Sequence, residues 1–214
     1  MNKSVESLNK QLVSYIETEI LPQYNEFDNG HNLLHISNVI RESLALAEDL
    51  SINKNMVYTI AAFHDLGIKY GRDSHHLSSA QLLMENQNLK KWFTSDELAV
   101  IKEAIEDHRA SSKNPPRSIY GKVVAEADRE ISIKRVLQRT LQYGLKAHPF
   151  LSFEEHFERC YTHLQEKYGQ NGYLKLWFKN GKNAQNLREL QQLILDKDKL
   201  KNEFRKYYNE EQEK

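Results

Sequence analysis

Histidine and aspartate residues recur along the first 130 positions in a pattern that suits metal binding. Six of the nine histidines fall between positions 31 and 108, and two aspartates stand with them; the set is His31, His35, His64, Asp65, His75, His76, His108 and Asp128. Each alone has a simpler reading, a hydrogen-bonded core histidine or a helix-capping aspartate. Together, imidazoles and carboxylates on inward faces of separate helices are what a metal site in a helical bundle requires.

The spacing of these residues places them on the inward faces of predicted helices. His108 follows Ile101 by seven residues and Asp128 follows Val124 by four, so both continue an apolar helical stripe. The pair His64–Asp65 closes a short apolar run. Burying an unpaired carboxylate costs several kcal/mol, about the range measured for broken buried ion pairs, and a bound cation would offset that cost.

The order and local sequences of these residues resemble the HD-domain superfamily of metal-dependent phosphohydrolases, in its small single-domain bacterial branch. The superfamily signature is His, His-Asp and Asp, often with two further histidines before the last aspartate. The matching strings are GHNLLHISNVI with His35, AAFHDLGI with His64–Asp65, DSHHLSSAQLL, IEDHRASS with His108, and AEADRE with Asp128. The likeness covers about Asn29 to Arg135 and is weaker beyond.

The resemblance implies a set of ligands for one or two divalent metal ions. The ligands to the first ion would be His35, His64, Asp65 and Asp128. A second ion would use His75 and His108, with Asp65 bridging; His76 stays an alternative to His75, although the spacing to Ser79–Ala80 favours His75. Imidazole with carboxylate suits Mn, Fe, Co, Ni or Zn better than Mg.

The activity implied by the resemblance is hydrolysis of a phosphoester or phosphoanhydride bond by a metal-activated water. The substrate would be a nucleotide or another small phosphorylated metabolite, with monoester and pyrophosphate cleavage both open. Many members carry lysine directly after His-Asp-x-Gly, where this chain has Ile68 followed by Lys69. The Gly-Tyr-Pro string of cyclic dinucleotide phosphodiesterases is absent. Alternatives are a di-iron oxygenase of the same superfamily, or a non-catalytic metal-containing module for ligand binding or regulation.

A cationic stretch offers partners for substrate phosphate. Residues 109–146 contain nine Lys or Arg and three acidic residues, a net charge of +6 in a chain of net charge zero. Arg129, Arg109 and Lys113 are the candidate phosphate contacts, and the two arginines are preferred because guanidinium makes forked bonds to phosphate. Lys113 and Arg117 flank the proline loop and are a candidate mobile clamp. A solvated helix face is the alternative for each basic residue.

Catalytic roles are assigned to three residues by the same reasoning. Asp65 would bridge the metals and Arg129 would contact the reacting phosphate. His31 precedes His35 by one helical turn, so it would act as a proton carrier or support a ligand, unless it is a surface residue at a helix start.

The elements that must position this site are predicted to be helices throughout. Glycine and proline are scarce, and apolar residues recur at helical spacing. The predicted helices are a stripe from Val5 to Ile20, about 31–50, 55–65, one after Asp73 or Ser74, one after the capping box Thr94–Glu97, one through Val123–Ala127, one from the capping box Ser152–Glu155 to about Tyr168, and a long helix from 183 to the end. The fold class is all-α, an HD-domain-like bundle in one domain, with a metal-binding core at about 25–140 and a C-terminal helical extension at about 150–214.

Composition also bears on partners and location. No apolar run approaches the roughly 20 residues of a membrane helix, no secretion signal is recognisable, and Cys160 is a single cysteine. We therefore expect a cytoplasmic protein with no membrane partner. The small phosphorylated substrate, a nucleotide above all, is what the resemblance implies. Zero net charge disfavours nucleic acid as a partner. The oligomeric state does not follow from the sequence.

Overall fold

Helices account for the secondary structure of the computed structural model, which describes residues 8–27, 32–109, 114–129 and 131–213. No strand occurs in these ranges, which confirms the all-α prediction. Their α-helices are α1 (Lys10–Tyr15), α2 (Leu33–Leu46), α3 (Lys54–Phe63), α4 (His75–Glu85), α5 (Ser95–Asp107), α6 (Ile119–Ala127), α7 (Ile133–Ala147), α8 (Phe153–Tyr168), α9 (Lys182–Leu195) and α10 (Lys197–Gln212). A π-helical turn at Ile16–Ile20 and 3₁₀ segments at Leu21–Glu26, Leu66–Tyr70 and Gln87–Lys91 complete the set.

The first helical stretch buries its apolar stripe but changes helix type. Leu12, Ile16 and Ile20 are almost fully buried, as the spacing predicts. The chain is α-helical only to Tyr15 and then widens into the π-helical turn. Val5 lies outside the described residues.

Helix α3 is the central helix of the first part of the chain. Every residue from Met56 to Phe63 is buried, and α2, α5 and α6 pack against it. A helix that is apolar on all sides belongs in a core, because no face of it gains from contact with water. This helix lies where the sequence predicts one, at about 55–65.

Helix starts follow the capping signals in the sequence. Thr94 and Ser152 both form the predicted capping boxes, with Glu97 and Glu155. Ser74 is the N-cap of α4, but its side chain makes no capping hydrogen bond.

The prediction of one long helix from 183 to the end is wrong. The chain forms α9 and α10, which are separated at Asp196. Asp196 has non-helical torsions, φ −104° and ψ 87°, and its carboxylate accepts a hydrogen bond from the Lys199 N–H. An aspartate that caps a new helix ends the previous one, because its own backbone must leave the helical conformation. The highly charged α10 also buries Leu200 and Phe204, so it is not only a solvated face.

The chain divides into two compact units, residues 1–129 and 130–214. In the second unit, α7 to α10 enclose a core that includes Leu137, Phe157, Leu190 and Phe204. No helix was predicted where α7 lies, although Val136, Thr140 and Gly144 repeat every four residues on its buried side. The second unit begins at residue 130, whereas the predicted metal-binding core extends to about residue 140. That the chain forms a single domain stays a prediction.

None of the helices in the described ranges combines the length and apolar character needed to cross a membrane.

Candidate metal centre

The candidate ligands lie at the ends of five helices of the first unit. His35 is in the first turn of α2 and His75 is the first residue of α4. His64, His108 and Asp128 directly follow α3, α5 and α6. Three helices therefore contribute their C-terminal ends, whose partial negative charge favours a bound cation, and two helices contribute their N-terminal ends, which do not.

Asp65 lies at the centre of the cluster, and each of its carboxylate oxygens faces a different pair of imidazoles. Oδ2 is 3.5 Å from Nε2 of His35 and 3.3 Å from Nε2 of His64. Oδ1 is 3.3 Å from Nε2 of His75 and 3.4 Å from Nε2 of His108. The carboxylate is only 5% exposed, so both oxygens are committed to these neighbours.

Asp128 completes the group on the Oδ2 side. Its Oδ1 is 3.2 Å from Nε2 of His35 and 3.7 Å from Nε2 of His64. The donor atoms fall into two sets, each with all members within 4.8 Å of one another, and Asp65 belongs to both. The sets are His35, His64, Asp65 and Asp128, and Asp65, His75 and His108.

Backbone carbonyls fix the tautomer of three of the imidazoles. Nδ1 of His64 lies 2.8 Å from the Ala61 carbonyl, and Nδ1 of His108 lies 2.6 Å from the Ile105 carbonyl. Nδ1 of His75 lies 2.7 Å from the carbonyl of Arg72. A carbonyl oxygen only accepts, so each Nδ1 must carry the hydrogen and donate it. The Nε2 atom of each neutral ring then directs a lone pair into the site, as a metal ligand does.

Opposed lone pairs show that the cluster suits a cation. Nε2 of His75 and Nε2 of His108 are 3.0 Å apart. Nε2 of His64 is buried and has no hydrogen-bond partner among the described residues. Atoms with lone pairs that face one another and carboxylate oxygens need positive charge between them, either protons on the rings or a metal ion.

Contact distances in the cluster also agree with shared coordination. Ligands bound at about 2.0–2.1 Å are separated by about 3.0 Å at right angles and about 3.4 Å in a tetrahedron. The contacts between donor atoms that surround Asp65 and Asp128 are 3.2–3.7 Å. The donors present therefore fit one or two divalent ions with only small shifts.

The electrostatics of the cluster follow from its mixed charges. Burial alone lowers the pKa of His64, but Asp65 and Asp128 outweigh it and hold that pKa well above its usual value. Burial alone would raise the pKa of Asp65, yet His64 and hydrogen bonds from neighbouring imidazoles hold it well below its usual range. Asp128 behaves in the same way, with its pKa lowered mainly by His35 and His64 against the effect of burial.

The other predicted site residues are placed less uniformly. His76 lies beside His75, with ring centroids 5.7 Å apart, but it does not belong to either donor set. Arg109 follows His108, and its Nη1 donates to the Asp73 carbonyl at 2.5 Å. His31 and Lys113 lie outside the described residues.

Arg129 sits among acidic groups next to the cluster. Burial lowers the pKa of its guanidinium, whereas Glu126 and Asp128 act in the opposite direction. A partly buried arginine adjacent in sequence to Asp128 has the charge to meet an anion near the metal donors.

The clamp hypothesis for Lys113 and Arg117 stays a prediction, but the guanidinium of Arg117 is paired in this structure. Its Nε donates to the Asp107 carboxylate at 3.0 Å, and its Nη2 donates to Glu106 at 2.6 Å. Its backbone N–H also donates to Asp107 at 2.7 Å. These bonds hold the proline loop to the last turns of α5 and leave this arginine bound within the unit.

Sequence reasoning missed the contact that joins the two donor sets. The Gly67 N–H donates to the buried Ser79 hydroxyl at 2.8 Å, which holds the segment after Asp65 against α4. Both residues occur in the strings quoted for the resemblance, the glycine of His-Asp-x-Gly and the serine four residues after His75. Their small size was the available signal.

Comparison with known proteins agrees with this geometry. Residues 33–131 match the HD domain family, in agreement with the predicted resemblance to the HD-domain superfamily. The match indicates the superfamily of metal-dependent hydrolases. The His/Asp cluster described above lies on five helices of the chain, α2 to α6.

A bacterial relative gives no further indication of activity. An uncharacterized protein of Clostridium beijerinckii (strain ATCC 51743 / NCIMB 8052) is 33% identical over 96 residues, which are 42% of this chain and 60% of that protein. The match thus spans about three fifths of the relative. No solved structure matches the chain.

Proposed function

We propose that this protein is a metal-dependent phosphohydrolase that cleaves a phosphoester or phosphoanhydride bond of a nucleotide or other small phosphorylated metabolite. The observation that supports it most is Asp65, whose two oxygens each face two imidazole nitrogens. The proposed ligands are His35, His64, Asp65 and Asp128 for one ion and Asp65, His75 and His108 for a second.

In the proposed reaction, the metal ion would activate water and substrate, and side chains of the protein would hold the ion and bind the phosphate. When bound, a divalent ion would polarise a phosphoryl oxygen and lower the pKa of a water molecule. Asp65 and Asp128 supply the negative charge that retains the ion, and the three carbonyl-anchored imidazoles keep their lone pairs directed at it. Arg129 is the proposed phosphate partner because it adjoins Asp128 and lies among the charges of the site.

The proposal also includes roles for three further residues, the preferred metals and the location of the protein. Arg109 and Lys113 are proposed to contact the substrate phosphate, and His31 to carry a proton at the site mouth. Mn, Fe, Co, Ni and Zn are favoured over Mg, because four of the six proposed ligands are imidazoles. A cytoplasmic location fits a phosphorylated small-molecule substrate.

A substrate screen with matched variants tests this function. Nucleotides and sugar phosphates would be assayed for phosphate and pyrophosphate release with Mn, Co, Ni and Mg compared. We expect release with at least one transition metal, and a loss of about 10³-fold or more in Asp65→Asn, since several kcal/mol of charge stabilisation depend on that carboxylate. Asp96→Asn, an exposed aspartate in the first turn of α5, should retain the parent's rate.

Two outcomes would contradict the proposal. An iron-loaded protein that consumes O₂ without releasing phosphate would identify an oxygenase, since the same donors suit two iron ions. A folded protein that binds metal but turns over none of the phosphorylated compounds would favour a ligand-binding or regulatory module.

A further inference from the structure

Tyr24 approaches the candidate metal centre from outside the segment that matches the HD domain. It belongs to the 3₁₀ segment Leu21–Glu26, and the family match begins at residue 33. Its side chain is 0% exposed, and its hydroxyl donates to the Ala62 carbonyl at 2.8 Å. The ring packs edge-on against Phe27, with centroids 5.1 Å apart, which limits its rotation.

The Tyr24 hydroxyl meets the chain where α3 ends and the His-Asp pair begins. The last carbonyls of a helix lack partners within the helix and must find them elsewhere. In α3, the Ala61 carbonyl receives the Nδ1 hydrogen of His64 and the Ala62 carbonyl receives the Tyr24 hydroxyl. The Ala61 carbonyl thus anchors the His64 ring directly. The neighbouring Ala62 carbonyl anchors the turn that leads to Asp65.

Asp65 also affects the pKa of the Tyr24 hydroxyl. Burial raises the pKa of Tyr24 first of all, and the Asp65 carboxylate raises it further. The Asp65 backbone N–H faces the phenolic oxygen and acts in the opposite direction. The Tyr24 hydroxyl therefore lies close to the Asp65 backbone as well as to the end of α3.

We infer that Tyr24 is a positioning residue for the bridging carboxylate of Asp65. This inference rests on the proposed function, because it concerns the retention of metal by that site. The hydroxyl holds the turn from Ala62 to Asp65 in the one conformation that presents both carboxylate oxygens to the two imidazole pairs. Groups that orient metal ligands change metal affinity by about 10–100-fold when they are removed.

The experiment compares Tyr24→Phe with Tyr15→Phe in the full chain. Tyr24→Phe removes one hydroxyl and keeps the buried ring. Tyr15 is the matched control, because its hydroxyl also ties the N-terminal segment to a distant residue, Asn86 at 2.9 Å, but not to the site. Mn²⁺ affinity and stoichiometry would be measured by calorimetry, well below the unfolding temperature of each metal-free variant.

The expected result is Mn²⁺ binding weakened about 10–100-fold in Tyr24→Phe, with Tyr15→Phe close to the parent. The metal-free proteins should retain the same helical circular dichroism. Equal Mn²⁺ affinity in Tyr24→Phe and parent would overturn the inference alone, as would equal weakening in both variants. A parent that binds no divalent metal would overturn the proposed function, and this inference with it.

Discussion

At the scale of single residues, carboxylates raise the proton affinity of the imidazoles that would bind metal. Burial lowers the pKa of His35, but the hydrogen bonds that its ring donates to the Asp128 and Asp65 carboxylates outweigh burial, so the pKa is raised. Burial likewise lowers the pKa of His75, and Asp65 and the Arg72 carbonyl raise it above its usual value. In the absence of metal, the carboxylates therefore favour the protonated form of these two rings.

Metal binding should for this reason release protons. A ligand imidazole must be neutral, and a raised pKa leaves more rings protonated near neutral pH, so metal affinity should fall as pH falls. Calorimetry of Mn²⁺ binding in two buffers of different ionisation enthalpy measures the release, which should shrink as the pH is raised above the histidine pKa values. His35→Gln should release fewer protons than the parent, and His148→Gln, an exposed histidine of the second unit, should not differ from it. Buffer-independent heats near neutral pH would contradict the expectation.

Residue types and order could be read from the sequence, but the contacts between them could not. The six candidate ligands were selected by type, spacing and resemblance. The choice between His75 and His76 depends on how α4 is rotated, and the structure brings His75 into the donor set. Adjacent residues on a helix point about 100° apart, so a small change of register would exchange them.

At the scale of elements, the site depends on how closely the 3₁₀ segment Leu66–Tyr70 approaches α4. A methyl group built on Gly67 would lie 2.5 Å from the His75 carbonyl oxygen and 2.7 Å from Cβ of Ser78, and it would also meet the Ser79 amide. Two of these atoms are backbone, which cannot move aside as a flexible side chain would. Glycine is required here by close approach between elements.

Gly67→Ala should therefore separate α4 from the His-Asp turn. We expect a loss of about 1–3 kcal/mol or more in the free energy of unfolding of the first unit, measured by urea denaturation. Mn²⁺ binding should fall as well, since His75 would move away from Asp65. Lys69→Ala, at an exposed position of the same 3₁₀ segment, is the control and should change neither quantity. An alanine variant with the parent's stability and metal affinity would show that α4 shifts without cost.

Helix boundaries were predictable where side chains determine them locally. The capping boxes at Thr94 and Ser152 involve residues three apart, so the sequence contains the whole interaction. The break at Asp196 was missed because apolar and charged residues continue helical spacing on both sides of it. Buried Leu200 and Phe204 explain the new helix, and they face a core that local patterns do not describe.

At the scale of the whole molecule, all of the candidate ligands belong to one of the two compact units. The donor sets draw on residues between His35 and Asp128, which fall within residues 1–129. The second unit has a core of its own, made of α7 to α10. Metal binding should therefore stabilise the first unit, residues 1–129, more than the second unit, residues 130–214.

Hydrogen exchange should show this difference directly. A ligand at about 100 times its Kd stabilises the state that binds it by about 2.7 kcal/mol, which slows exchange through unfolding. With saturating Mn²⁺, amides of α3 and α4 should exchange more slowly, and those of α8 and α10 should change less. EDTA should reverse the effect, and Asp65→Asn should lack it. Slowed exchange confined to α7–α10 would contradict the location of the site.

The sequence by itself determined the helical class, the HD domain and the types of the candidate ligands. These depend on periodicity, on capping residues and on short strings, all of which are local properties of the chain. Only the tertiary structure decided that Asp65 faces both imidazole pairs, that Arg117 is bound to α5, and that the Tyr24 hydroxyl donates to the Ala62 carbonyl. Each of these depends on distances between residues that are far apart in sequence, and such distances are set by how helices pack.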